Sequence, residues 1–241
     1  MGLLLVFAYT VQTASGFGAG LIILTLGAHL LPMPVLLALM LPLSVLQSGF
    51  VVARHPGDVD VQLVLRRVVP LMALGAAIGF GINHVAGEAP LLVTTLGVLI
   101  VLLALRELVL LITRRPSPVA SLWSSRLAIF GAGVLQGLSG TGGPPLVYAL
   151  GREGLDKARF RATILAVFVV MNLALITAFA LDGRYDAERL GQLARLVIAL
   201  PVGIVLGERL YGLFDERTFR IGVFTLLLAG GVSLLLRQSP G

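Results

Sequence analysis

The sequence predicts an all-α integral membrane protein of two inverted repeats, each a glycine-broken re-entrant helical hairpin plus three transmembrane helices. Three observations carry that prediction. The 241 residues are 57% hydrophobic and 12% charged, with a mean hydropathy of +0.99. The apolar residues fall into long runs bounded by arginines and prolines, with only short polar connections between them. A glycine-rich motif inside the first run returns inside the fifth.

Composition excludes several classes at once. A soluble domain needs more polar atoms on its exterior than this chain supplies. The net charge of +6 fits basic residues gathered on the cytoplasmic side of a bilayer rather than nucleic acid binding. With no cysteine there is no disulfide framework, thiol chemistry or cysteine-based metal site, and no cofactor is expected. The N-terminal MGLLLVFAYTV has no basic flank, so it is expected to be a structural segment rather than a cleaved signal peptide.

Eight apolar segments follow in order, at 2–31, 34–53, 68–86, 90–112, 127–150, 162–181, 196–212 and 218–236. The first is too long for one ordinary span and too short for two, and SGFGAG interrupts its middle. About twelve residues on either side would make half-helices of about 18 Å, roughly half the hydrocarbon thickness. A hairpin that enters, turns at mid-membrane and leaves on the same face fits this length. The polar stretch RHPGDVDVQLVLRR precedes the third segment, and TRRPSPVASLWSSR at 113–126 reads as a linker between repeats at 1–112 and 127–241. The fifth segment carries the second break.

The halves align. VQTASGFGAGLI at 11–22 matches LQGLSGTGGPPL at 135–146 without gaps, pairing Gln12 with Gln136, Ser15 with Ser139, Gly16 with Gly140 and Gly18 with Gly142. Gly57 and Asp60 match Gly183 and Asp186, and Gly75 and Gly79 match Gly203 and Gly207. The last two pairs have the small-xxx-small spacing of close helix crossings.

The basic residues decide between eight crossings and six. If all eight segments cross, the 18 basic residues divide 11 to 7, a weak asymmetry. If the first segment of each repeat is re-entrant, one face holds fourteen: Arg54, Arg66, Arg67, Arg106, Arg114, Arg115, Arg126, Arg152, Lys157, Arg159, Arg161, Arg209, Arg217 and Arg220. The other holds the remaining four, Arg184, Arg189, Arg195 and Arg237. The uneven split is the one the positive-inside rule expects, and it makes the halves inverted.

Non-helical backbone at membrane depth survives only where protein or a wet cavity satisfies it. Two such breaks at matching positions of inverted repeats predict a binding site at mid-membrane between the two broken helices. Half-helix N-termini present free N–H groups and positive dipole ends, and glycine lets a ligand approach that backbone. Pro144 and Pro145 suit the first turn of the second half-helix. The predicted ligand set is Gln12, Ser15, Gly16, Gly18, Gln136, Ser139, Gly140, Thr141, Gly142 and Gly143, with Gln47 and Asn172 from neighbouring spans; Thr13 adds a further neutral donor. Such a pocket suits a small anion without a buried arginine. Arg106–Glu107 and Glu208–Arg209 read as structural pairs near the cytoplasmic helix ends whose long side chains reach toward the interface, a gating or proton-relay role being the alternative. His29, His84 and Glu88 read as solvated outer-face residues.

The duplicated SGFGAG and SGTGGPPLVY motifs, and the helix layout around them, resemble the sulfite exporter TauE/SafE family over nearly the whole chain. The resemblance implies a multi-pass permease of the bacterial inner membrane moving sulfite, sulfonates or related sulfur-containing anions. It leaves room for a coupling proton or sodium ion and for a homodimer. The first repeat has Gly18-Ala19-Gly20 where many members carry three glycines. A passive anion channel is the alternative within this class. A rhomboid-like serine protease is disfavoured, although Gly137-Leu138-Ser139-Gly140 has the short motif. All three histidines (29, 55 and 84) precede Ser139, whereas rhomboids place theirs later, and the Ser-Gly recurs at Ser15.

Overall fold

The computed structural model describes residues 1–27, 30–86, 90–113 and 122–238, and among these every regular element is helical. In order they are α1 (Gly2–Ser15), α2 (Ala19–Gly27), α3 (Met33–Arg54), a 3-10 turn (Pro56–Asp58), α4 (Val61–Leu63), a π-helical stretch (Val64–Val68), α5 (Val69–Ala86) and α6 (Pro90–Ile112). Then come α7 (Leu122–Ser139), α8 (Gly143–Leu150), α9 (Lys157–Leu181), α10 (Ala187–Leu196), α11 (Ala199–Leu213) and α12 (Glu216–Gln238). Among the described residues four stretches are long and apolar enough to cross a membrane: Met33–Arg54, Val61–Ile82, Lys157–Leu181 and Ala187–Leu213. Helices α6 and α12, of 23 residues each, are about 35 Å long.

Several helical stretches start earlier than hydropathy predicts, among them those at 61, 157 and 187 instead of 68, 162 and 196. Hydropathy registers only apolar residues, whereas a capped polar turn is equally helical. Asp60 accepts from Leu63 N at 2.9 Å and Asp186 from Arg189 N at 2.8 Å. The two aspartates that match between the halves therefore do the same job, each closing an open helix start.

The chain forms two compact units, each drawn from both halves of the sequence: Met1–Val69 with Ala158–Leu213, and Pro70–Lys157 with Phe214–Gly241.

In the first unit α1 runs parallel to α3. Tyr9 Oη donates to Met40 O at 3.1 Å, and Gln12 reaches Gln47 and Ser48 at 2.8 and 3.0 Å. Helix α2 turns back: a Cβ built on Gly27 would lie 3.1 Å from Leu36 and 3.6 Å from Leu4, near the starts of α3 and α1. Helix α9 is antiparallel to α3, since Asp60, beyond the end of α3, meets Arg159 and Thr163 at the start of α9 at 3.1 Å each. Midway along both helices Asn172 donates to Ser44 at 3.1 Å. Helix α11 lies along α1, with Gly203 beside Val6 and Tyr9 and Gly207 beside Thr10 and Thr13.

The second unit uses the same crossing. A Cβ on Gly75 would sit 2.3 Å from Phe130 O, and one on Gly79 2.2 Å from Val134 O. From the other side a Cβ on Gly133 would lie 2.1 Å from Met72 O, and one on Gly137 2.1 Å from Ala76 O. Two Gly-xxx-Gly faces thus bring α5 and α7 to backbone contact. Helices α6 and α12 are antiparallel, Arg217 at the start of α12 donating to Leu111 O at the end of α6 at 3.4 Å.

Candidate functional site

Both sequence-predicted breaks are present. Helix α1 ends where Gly16 takes φ 90°, returning its N–H to Gln12 O at 2.7 Å, and Gly18 follows at φ 106°. In the second unit Gly140 takes φ 65° and its N–H reaches Gln136 O at 2.9 Å. A side chain at these dihedrals would be strained, so glycine is what allows the helix to stop here. Pro144 and Pro145 occupy the first turn of α8, where a missing N–H removes no helical bond. The arms are unequal, however: 14 and 9 residues in the first unit, 18 and 8 in the second, instead of about twelve each. Since Thr13 is level with Gln47, the first break lies about 8 Å short of the end of α3, past its midpoint.

A buried, neutral hydrogen-bond network surrounds the first break. Gln12 Nε2 lies within 2.8–3.1 Å of Gln47 Oε1, Ser48 Oγ and Ser44 Oγ. Gln47 Nε2 donates to Thr13 Oγ1 at 2.8 Å, and Asn172 Nδ2 to Ser44. Of the predicted ligand residues, Gln12, Gln47 and Asn172 are therefore brought together, with these donors engaged inside the protein. They tie α1 to α3 and α9. Ser44, which the sequence reading passed over, stands at i−3 and i−4 to Gln47 and Ser48 and so on their face; that spacing in an apolar helix was the available signal. Ser15 Oγ lies 2.7 Å from both Val11 O and Phe17 O, so its one proton has carbonyl acceptors within the turn.

At the second break Gln136 folds back on its own hairpin, its Oε1 accepting from Gly142 N at 2.9 Å. A Cβ on Gly142 would meet Ala132 O at 2.4 Å and Gln136 Oε1 at 2.9 Å, so the loop is closed against α7. Thr141 and Gly143 are buried beside it. The side chains of Ser139 and His84, and residues His29 and Glu88, lie outside the described residues.

One expectation is overturned. The site was expected to need no buried arginine, yet Arg161 is 4% exposed and adjoins the first break. Its backbone would lie 3.3 Å from a Cβ on Gly16. Nη1 donates to Thr13 O at 3.1 Å and to Glu208 Oε1 at 3.0 Å, and the guanidinium lies 3.6 Å from the centre of the Tyr211 ring. The carbonyls that end α1 form a negative dipole end, which a cation stabilises. Within the second unit, the Arg106–Glu107 pair is also buried on its acidic side: Glu107 bonds Arg106 at 2.6 Å and lies 4.0 Å from Arg152.

The family described as "Sulfite exporter TauE/SafE" matches residues 1–234. The chain belongs to that family. TauE/SafE proteins are membrane transporters, not enzymes, so the Gly-x-Ser-Gly at 137–140 is a helix break and not a nucleophile motif. The chain is 26% identical over 235 residues to the "Probable sulfite/organosulfonate exporter TauE" of Cupriavidus necator, covering 93% of this chain and 88% of that protein. It is 35% identical over 105 residues to the "Probable inner membrane transporter protein TsaS" of Comamonas testosteroni, covering 42% and 43%. No solved structure matches it.

Proposed function

We propose that this TauE/SafE chain is a secondary carrier of the bacterial inner membrane for a small sulfur oxyanion, sulfite or an organosulfonate. In this reading six helices cross the bilayer, and α1–α2 and α7–α8 are re-entrant hairpins whose breaks interact with the anion. The single observation that carries it is the pair of matching breaks, each a positive-φ glycine at the end of a buried half-helix. Inversion of the halves, 1–112 against 127–241, is supported by antiparallel packing of the elements that match between them, α3 with α9 and α6 with α12. Repeats of this kind with broken helices favour alternating access over an open pore.

Within the breaks, the glycine backbone at Gly16, Gly18 and Gly140 to Gly143, together with Thr141, meets the anion. Gln12, Gln47 and Asn172 hold the first break in place, Ser15 shapes its turn, and Gln136 closes the second loop; Ser139 is the remaining hydroxyl at the second break. The test is a proteoliposome flux panel of sulfite, sulfate, thiosulfate, taurine and sulfoacetate, with and without a proton gradient. Saturable flux of sulfite or a sulfonate that supports counter-flow is expected. Flux linear in concentration would make the protein a channel, and no flux of any of the five would overturn the assignment.

A further inference from the structure

The anion-carrier reading leaves open where the positive charge comes from, since the side-chain donors around the first break are neutral. Arg161 supplies one. Its guanidinium has five N–H donors, yet both of its protein acceptors, Thr13 O and Glu208 Oε1, are taken by Nη1. Nε is buried and has no hydrogen-bond partner in the protein. Tyr211 covers a face of the guanidinium plane, so the donor left without an acceptor lies on the Nε edge. A tetrahedral or pyramidal oxyanion is the ligand whose paired oxygens match such an edge.

Glu208 supplies the second half of the device. It follows Gly207, whose backbone contact with α1 fixes it beside the break. Its side chain is 30% exposed, whereas that of Arg161 is 4% exposed. The other charged groups on the packed elements are engaged elsewhere or exposed. Helix α1 carries no acidic or basic side chain; Arg54 of α3 lies over Phe50, and Arg159 of α9 pairs with Asp60. Lys157 donates to Phe214 O, and Arg209 is exposed.

We propose that Arg161 is the cation that receives the transported oxyanion at the first break, and that Glu208 is its resident counter-ion, which takes up a proton when the anion binds. Anion and proton are then bound together: the carboxylate becomes a neutral acid, and the anion replaces it as the charge partner of the guanidinium. The inference rests on the carrier reading above.

The probe is methanesulfonate, which stays fully ionised across the range and so adds no titration of its own. Binding to purified protein in detergent is measured between about pH 5 and pH 9 for wild type, Glu208→Gln, Arg161→Lys and the double variant Arg161→Gln/Glu208→Gln. Wild-type affinity is expected to fall as pH rises, by up to about tenfold per pH unit, with one proton taken up per anion. Glu208→Gln should bind at least as tightly as wild type at the lowest pH and lose the pH dependence. Arg161→Lys should weaken binding about a hundredfold, because an ammonium lacks the paired edge. The double variant leaves no unpaired charge at this site, so it should remain monodisperse and fail to bind. A Glu208→Gln profile that still tracks pH as wild type does, or a double variant that binds normally, overturns the proposal. If the double variant does not fold, the Glu208→Gln profile and Arg161→Lys decide alone. No methanesulfonate binding by wild type, with sulfite flux intact, overturns this site and leaves the carrier standing; absence of both overturns the carrier reading itself.

Discussion

Gly79→Leu is expected to prevent the second unit from folding, while Gly81→Leu, two residues along the same helix, leaves it intact. A Cβ at Gly79 would lie 2.2 Å from Val134 O and 3.0 Å from Val134 C, backbone atoms that cannot rotate away. The helices would have to separate, which also strips the facing contacts of Gly133 and Gly137. Overpacking of this kind costs about 3 kcal/mol or more, a large share of a domain's net stability. Nothing lies within 4 Å of a Cβ at Gly81. The measurement is size-exclusion profile and thermal unfolding in detergent. Equal behaviour of the two variants would mean that α5 and α7 do not cross where the glycines meet.

Thr141→Asp is expected to abolish anion flux in a protein that still folds, with Thr141→Asn close to wild type. Thr141 is buried in the second break, beside the start of α8. A carboxylate there would face the dipole end proposed to face the anion. Two like charges about 4 Å apart at an effective dielectric near 20 repel by about 4 kcal/mol, close to a thousandfold in affinity. Flux should recover as pH falls and the new carboxyl is protonated. Normal anion flux through Thr141→Asp at neutral pH would mean that the anion does not visit this break.

What the sequence disclosed and what it hid follow from the same physics. The breaks were legible because a left-handed turn needs glycine, and the duplication repeated that need at Gly16 and Gly140. The crossing glycines at 75, 79, 203 and 207 were legible from their spacing. Their partners were not, since spacing does not say that α5 meets α7, or that α11 meets α1, across the halves of the chain. Arm lengths were hidden because hydropathy carries no record of where a helix axis ends. Arg161 was hidden for a related reason: near the start of a span, a buried arginine and a surface arginine look alike. One clue was present. Glu208 directly follows the contact glycine Gly207, and a carboxylate next to a packed face needs a cation close by.

The account rests on α7–α8 turning back inside the bilayer, and cysteine accessibility measures that directly. The native chain has no cysteine, so each introduced thiol reports alone. Leu122 opens α7 and is exposed, Glu153 follows α8, and Asp186 lies exposed between α9 and α10. In intact bacterial cells treated with a membrane-impermeant thiol reagent, Leu122→Cys and Glu153→Cys should both be protected and Asp186→Cys labelled. Labelling of only one of the first two would place them on opposite faces, making α7–α8 a true crossing and contradicting the inverted, re-entrant arrangement.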